Sequence, residues 1–529
     1  MTNTIELILA LLGAVTALAL LSRKLPIPYP ILLVLGGLAL ALIPGLPRVR
    51  LDPELVFIFF LPPLLYPAAL FMPWRDFRVN LRPILLLAVG LVLFTTVSVG
   101  FLAHYFLPEF PLAAGFALGA IVSPPDAIAA TAIAEHVRIP RRVITILEGE
   151  SLVNDATALV ALRFAIASLA TGVFSLTHAV GQFVLVCAGG IAVGLVIGYV
   201  AVWIQKHIND TPIEITLSLL TPFAAYLSAE RLGVSGILAV LTTGLYFGWR
   251  MPEITTSRTR LQAGPVWQMI EFLLNGLVFL LIGLELPDVR ARLPRYSIQQ
   301  LLVYGGGISI VIILLRILWV FPATYLPRLL FKKLCARDPH PKWQHVAIVA
   351  WTGMRGVVSL AAALALLFPR NPSLVPVHDL VIFLTFVVIL ATLVVQGLTL
   401  PPLIRWLGVE EDCLVEQEER KARLKANQAA LARLDQVAKS DQVSPIILQR
   451  LRDEYEDRIR QLEAFDATGD TNGNPLFSSD YEKLLRLTLK VERRTLIQLR
   501  NDDIINDETL RRIQRDIDLA EARLKSAPS

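Results

Sequence analysis

The sequence predicts an all-α polytopic membrane protein. We expect about thirteen transmembrane helices in an inverted repeat with two unwound, crossing helices, followed by a helical cytoplasmic C-terminal domain. Three observations carry that prediction. Of the 529 residues, 55% are hydrophobic and 18% charged, against roughly 45–50% and 25% in ordinary globular chains. The charges are unevenly placed: residues 1–409 hold 19 acids and 28 bases, whereas residues 410–529 hold 25 acids and 21 bases. Finally, two apolar stretches are interrupted halfway by residues that break helices, Pro124-Pro125 and Gly353 with Gly356. The domain boundary expected from the charge step is 1–408 for the membrane domain and 409–529 for the tail.

A spanning helix needs about 20 mostly apolar residues. Runs that satisfy this lie near 5–22, 29–45, 54–72, 83–106, 112–134, 142–170, 179–204, 212–230, 234–249, 265–286, 300–327, 343–368 and 379–404. The tenth is expected to stop before Pro287 and the thirteenth near Pro401-Pro402, because proline donates no backbone hydrogen bond. The first run lacks a basic front and a cleavage site and reads as a retained helix. Loops on one side carry seventeen bases, among them Arg75, Arg82, Arg142 and Lys333, and loops on the other carry seven, among them Arg48 and Arg370. The base-rich side is cytoplasmic by the positive-inside rule, which puts the N-terminus outside and the C-terminus in the cytoplasm of a cell-membrane protein.

This composition excludes a soluble enzyme, a secreted disulfide scaffold and a nucleic-acid binder. The basic excess sits at membrane loops, and the three cysteines, Cys187, Cys335 and Cys413, have no metal-ligand spacing.

Charges at mid-membrane are expensive, about 2.5–3.5 kcal/mol each on insertion scales, and mark function by default. The fifth span contains Ser123-Pro124-Pro125-Asp126. Asp126 lies about 14 residues in, roughly 21 Å at the helical rise. A helix broken there exposes carbonyls, that of Pro125 included, beside a carboxylate, which suits a cation; the plainer reading is a proline kink with Asp126 capping the next half-helix. The sixth span contains Glu150-Ser151-Leu152-Val153-Asn154-Asp155. Asp155 is again near the midplane, Ser151 shares its face at i, i+4, and Glu150 points about 140° away. A carboxylate, a hydroxyl and the Asn154 amide are hard oxygen donors for a monovalent cation or a proton; the plainer reading is a buried polar network between helices. The twelfth span places Arg355 between two glycines, and a buried guanidinium needs an acid. Glu150 is the first candidate partner and Asp126 the second. Broken helices at matching positions of two halves mark a transporter whose site lies at their crossing.

These residues resemble a known family. Glu148 to Asp155 is similar to the Asn-Asp motif of monovalent cation/proton antiporters of the Na+/H+ exchanger type, the bacterial NhaP-like branch. Ser123–Ala127, Asn275-Gly276-Leu277, Gly283-Leu284-Glu285-Leu286 and Gly353-Met354-Arg355-Gly356 resemble that family's other motifs, and the likeness covers about residues 5–405. The resemblance implies a homodimer in the lipid bilayer that exchanges Na+, or Li+ or K+, for H+ and needs no cofactor. It makes Asp155 the shared carrier, with Ser151 completing the monovalent-cation site. Asn154, Asp126 and the Pro125 carbonyl lie close by, and Glu150 pairs with Arg355. Because Asn154 does not titrate, exchange is expected to be electroneutral, one proton for one cation. The rival readings are an intramembrane aspartyl enzyme using Asp126 and Asp155, and a cation channel. The channel reading draws on Thr242-Thr243-Gly244-Leu245-Tyr246-Phe247-Gly248, which faintly resembles a potassium filter; close helix packing accounts for those small residues equally.

Among the other polar residues, Glu214, Glu230 and Glu271 lie near predicted span ends and read as solvated, while Arg163 and Arg316 read as snorkelling or structurally paired. In the tail, Leu424, Leu431 and Leu434 form one helical stripe, Pro445 opens a second helix, 466–480 is a loop, and helices near 481–500 and 507–525 follow. The tail reads either as regulatory or as a stabilising, dimerising appendage.

Overall fold

A computed structural model describes residues 2–25, 28–43, 56–107, 110–126, 139–171, 176–331, 338, 340–364, 366, 375–409, 414–438 and 445–467, together with scattered positions between 488 and 519. Every regular element among them is helical, and the chain divides into two compact units, Met1–Glu411 and Asp412–Ser529.

In the first unit, α1 (Thr2–Ser22), α2 (Tyr29–Ala41), α3 (Leu61–Leu70), α9 (Leu176–Gln205), α10 (Thr211–Arg231), α11 (Gly236–Ile254) and α12 (Ser257–Ala291) pack mainly on one another. Small residues let them meet closely. A methyl group on Gly37 would lie 2.1 Å from the Leu280 carbonyl, and one on Gly283 would lie 2.1 Å from that of Val34, so α2 and α12 cross backbone to backbone. The Thr242–Gly248 stretch lies inside α11 and serves the same purpose. Thr243 donates to the Gly194 carbonyl at 2.9 Å, and Gly248 rests against the Leu70 carbonyl.

The second group holds the broken helices. A short α4 (Trp74–Val79) leads into α5 (Leu81–Leu85), a wide π turn at Leu86–Leu91 and α6 (Val92–Phe106). α7 (Leu112–Val122) lies against α6, with Gly119 on the Thr96 carbonyl. α8 (Arg141–Thr171) packs on α7 and on the π turn. α13 (Ile298–Leu330), α14 (Trp343–Trp351), α15 (Val357–Leu364) and α16 (Val375–Leu407) complete the group. The π turn has a partner from far along the chain: Trp319 Nε1 on α13 donates to the Leu86 carbonyl at 3.0 Å, which satisfies an acceptor the wide turn would strand.

Two expected helix ends move. α12 continues through Pro287 to Ala291, and α16 passes through Pro401-Pro402 to Leu407. Each proline removes one ladder bond, and close to a helix end that loss does not stop the chain. Six described helices are long and apolar enough to cross a membrane, and α2 and α7 are shorter apolar helices.

The second unit contains α17 (Leu414–Ala438) and α18 (Pro445–Ala467), which pack together and are joined by an Arg452–Asp435 ion pair. Pro445 is the first residue of α18, where its missing N–H costs nothing. Most of the expected 466–480 loop and of the helices near 481–500 and 507–525 lies outside the described residues.

Candidate functional site

The site is built where two helices stop. α7 ends at Val122, and Ser123–Asp126 continue without helical bonds; α14 ends at Trp351, and the chain runs non-helically through Thr352–Gly356 before α15. The proline pair cannot donate, and the glycines on either side of Arg355 have no side chain to hold a helix together. The two breaks touch directly: Asp126 N–H donates to the Met354 carbonyl at 2.7 Å. The Asp126 carboxylate lies over Gly356, where an added methyl would sit 1.7 Å from Asp126 Oδ2. Only glycine fits at that crossing.

A helix that stops inside a bilayer leaves carbonyls facing outward with partial negative charge. Here side chains cover them. Arg355 Nε donates to the Val122 carbonyl at 2.8 Å, its Nη2 reaches that of Ser123 at 3.4 Å, and its Nη1 turns back to Gly353. Arg316 of α13 donates twice to the Val349 carbonyl at the end of α14, at 3.2 and 3.0 Å. Gln396 of α16 donates to the Trp351 carbonyl at 2.8 Å, and Thr392, one turn earlier, accepts the Arg355 N–H at 3.1 Å.

α8 runs past this crossing. Asn154 donates its amide to the Pro125 carbonyl at 2.9 Å, so that carbonyl is already engaged, while Asn154 Oδ1 is buried without a donor. Asp155 is 5% exposed and lies within electrostatic reach of Asp126. Ser151 is half-buried, one turn back along the same helix. The oxygen-bearing side chains of this region are those of Asp155, Asp126, Asn154 and Ser151.

The expected pairing of Glu150 with Arg355 is corrected. The Glu150 carboxylate is held in a two-point fork by Arg316, Nη1 to Oε1 at 2.5 Å and Nη2 to Oε2 at 2.8 Å, with both side chains essentially sealed from solvent. Glu150 still feels the Arg355 charge. Arg355 itself is turned toward backbone carbonyls of the two breaks, a geometry fixed by its place inside one of them. Asp126, the second candidate, meets that segment through its own N–H and through Gly356.

Sequence reasoning gave Arg316 only a general structural role, and it missed Thr392 and Gln396. Their i, i+4 spacing in an otherwise apolar helix was the available signal. Arg163 is paired with Glu230, both contacts at 3.1 Å. Glu214, expected to be solvated, is fully buried.

Comparison with known proteins gives a consistent result. The family model described as "Sodium/hydrogen exchanger, transmembrane" matches residues 8–406. An uncharacterized Na+/H+ exchanger of Mycobacterium tuberculosis is 37% identical over 98% of this chain and 95% of its own length. A sodium, potassium, lithium and rubidium/H+ antiporter of Bacillus pumilus is 36% identical over 78% of this chain and 64% of its own. A Na+/H+ antiporter of Aphanothece halophytica is 33% identical over 92% and 91%. Among solved structures, the sodium proton antiporter MjNhaP1 of Methanocaldococcus jannaschii superposes with a TM-score of 0.59 over 75% of this chain and 99% of that one, at 20% identity, which is a likeness of fold.

Proposed function

Because the chain belongs to the sodium/hydrogen exchanger family, a family of transporters rather than enzymes, we propose that it exchanges Na+, or Li+ or K+, for H+ across a membrane, with Asp155 as the shared carrier. The observation that carries this reading is the buried Asp155 carboxylate. Among the described residues it has no hydrogen-bond or cationic partner, and it faces the charge of Asp126 beside the crossing breaks. Two carboxylates in a water-poor site repel each other unless a proton or a cation joins them. A cation held by Asp155, Ser151, Asn154 Oδ1 and Asp126 offsets one of the two charges and relieves the repulsion, and so does a proton on Asp155, so each displaces the other. An empty site would carry an uncompensated charge through a low-dielectric region, which opposes movement without cargo and couples the two fluxes. Alternating access then consists of sliding the group that contains α8 past the group that contains α2, α3 and α11, driven by the ion gradients.

The positive-inside pattern supports an external N-terminus, and a cytoplasmic tail from about residue 409. The family resemblance supports a homodimer. The direct test is ion-by-ion dequenching of a pH-sensitive dye in proteoliposomes. Na+ should collapse an imposed pH gradient with the wild-type protein, and Asp155→Asn, which keeps the volume and removes the charge, should abolish that response while remaining folded. Cation-dependent proton flux from folded Asp155→Asn would remove Asp155 from the carrier role.

A further inference from the structure

The two helix groups must part if the carrier is to face each side in turn, and at one end of the seam they are tied together. Arg163 follows Asp155 by eight residues, about 12 Å further along α8. There Arg163 Nη2 donates to both carboxylate oxygens of Glu230, near the end of α10, at 3.1 Å each. Glu230 is anchored in its own group, because its Oε1 also accepts the N–H of Gly236, the first residue of α11, at 3.3 Å. A second pair crosses the same seam. Arg292, at the C-cap of α12, has its Nη1 3.9 Å from Asp379 Oδ1, near the start of α16, and His378 flanks that oxygen at 3.5 Å. Apolar side chains place both pairs at one closure. Val289 of α12 and Leu293 just after it are 1% and 2% exposed, and they are buried in a cluster that includes Leu162 and Ala165 of α8 and Leu380 of α16. Leu162 and Ala165 stand on either side of Arg163 in the chain, and Leu380 follows Asp379.

In each pair the base and the acid belong to opposite groups: Arg163 rides with α8 and Glu230 with α10, Arg292 with α12 and Asp379 with α16. A relative displacement that uncovers Val289 and Leu293 therefore separates both pairs. A contact shifts a two-state equilibrium only when it is present in one state and absent from the other, and these two meet that condition. Their strength also suits a part that must open in every cycle. The arginine side chains are 51% and 42% exposed, so each pair biases the equilibrium by about two- to fivefold, and salt screens the attraction. A sealed pair such as Glu150 with Arg316 would arrest the motion. We propose that Arg163–Glu230 and Arg292–Asp379 form a salt-sensitive latch on the external end of the seam, which favours the state closed to the outside and sets how often the carrier faces outward. The inference rests on the alternating-access exchange proposed above and on the orientation given by the base pattern.

The experiment is external labelling of a reporter thiol. Val289→Cys is introduced into the full-length chain with Cys187, Cys335 and Cys413 replaced by serine, and the rate of reaction with a membrane-impermeant maleimide is followed on intact expressing cells; Leu293→Cys is the second reporter. The parent should label slowly. Arg163→Gln and Arg292→Gln should each raise the rate about two- to fivefold, and together by about the product of the two. Arg163→Lys, which keeps the charge, should stay near the parent rate. Replacing external sucrose by osmotically matched choline chloride should speed labelling of the parent and leave the double variant unchanged. Melting temperatures in detergent should be the same throughout. A double variant that labels at the parent rate, or that labels faster only because its melting temperature has fallen, would overturn the latch. Acceleration seen only after the cells are permeabilised would overturn its external placement. Labelling reads access without ion flux, whereas the dye assay on Asp155→Asn reads flux, so the latch and the carrier role of Asp155 fail separately.

Discussion

Glu150 and Arg316 meet in a site closed to water, and there the cost of a single change is set by what it leaves behind. Removing either charge leaves its partner buried and uncompensated, a loss of about 3–5 kcal/mol. Glu150→Gln and Arg316→Gln should each lower thermal stability in detergent by that order, and the double variant should lose much less than the sum. The same cycle with Arg355→Gln should lie nearer to additivity, because Arg355 has no direct contact with the carboxylate. Additive losses for Glu150 and Arg316 would dissolve the pair. Counting residues around α8 correctly turned Glu150 away from Asp155. Which of two mid-membrane arginines it meets depends on the approach of α13, and no spacing within α8 encodes that. Glu214 was misread for a related reason: its position near a helix end predicts solvent, but α9 and α12 close over it.

At the scale of one element, α8 is held at three heights. Near its start, Arg142 donates to Asn80 Oδ1 at 3.0 Å and to Asp338 at 2.7 Å, and Asp338 also takes Arg328 of α13. Further along come the Glu150–Arg316 fork and the Asn154 bond to Pro125. Burial works against a charged Asp338, but its hydrogen bonds and the charges of Arg142 and Arg328 win and hold its carboxyl below the usual aspartate range. A depressed value means that the clamp contributes above the ordinary carboxyl pKa and is lost only as pH falls through the lower one. Asp338→Asn should therefore cost about 1–2 kcal/mol, the partial exposure of the pair keeping it modest. The melting-temperature gap from wild type should hold steady from neutral pH to about pH 5 and close only in stronger acid. A gap that closes already at pH 6 would show that Asp338 is not held low. The breaks in α7 and α14 were legible because proline and glycine act on their own backbone. The π turn at Leu86–Leu91 was not, because its cause, the Trp319 indole, comes from a helix more than two hundred residues away.

For the whole molecule, the division into two helix groups follows from contacts such as Gly37 on Leu280 and Gly119 on Thr96, which the sequence displays only as scattered small residues. Charge balance over the cycle belongs to this scale. Asn154 cannot titrate, and its amide is committed to the Pro125 carbonyl, so on the proposed function Asp155 exchanges one proton for one cation. We expect electroneutral exchange: with the membrane potential clamped by a potassium ionophore, an imposed potential should not drive Na+ uptake. Potential-driven uptake that needs Asp155 would make Asp126 a second proton carrier. The Arg163–Glu230 pair belongs to this scale as well, since it joins α8 to α10 across the seam between the groups.

The arginines that cover the broken helix ends have a consequence for an arriving ion. A guanidinium on the Val122 and Ser123 carbonyls, and another on that of Val349, mean that much of the oxygen a dehydrated ion would want is already spoken for. Fewer backbone oxygens remain to replace a hydration shell, so we expect the passenger to keep some of its water. A partly wet ion is judged by how readily it sheds a few waters, a graded property along the alkali series, and not by how well a bare sphere fills a rigid cage. Li+, Na+ and K+ should therefore all support proton exchange in the dye assay, at rates that change stepwise and not by exclusion; acceptance of one ion alone would mean that protein oxygens, and not retained water, complete its shell.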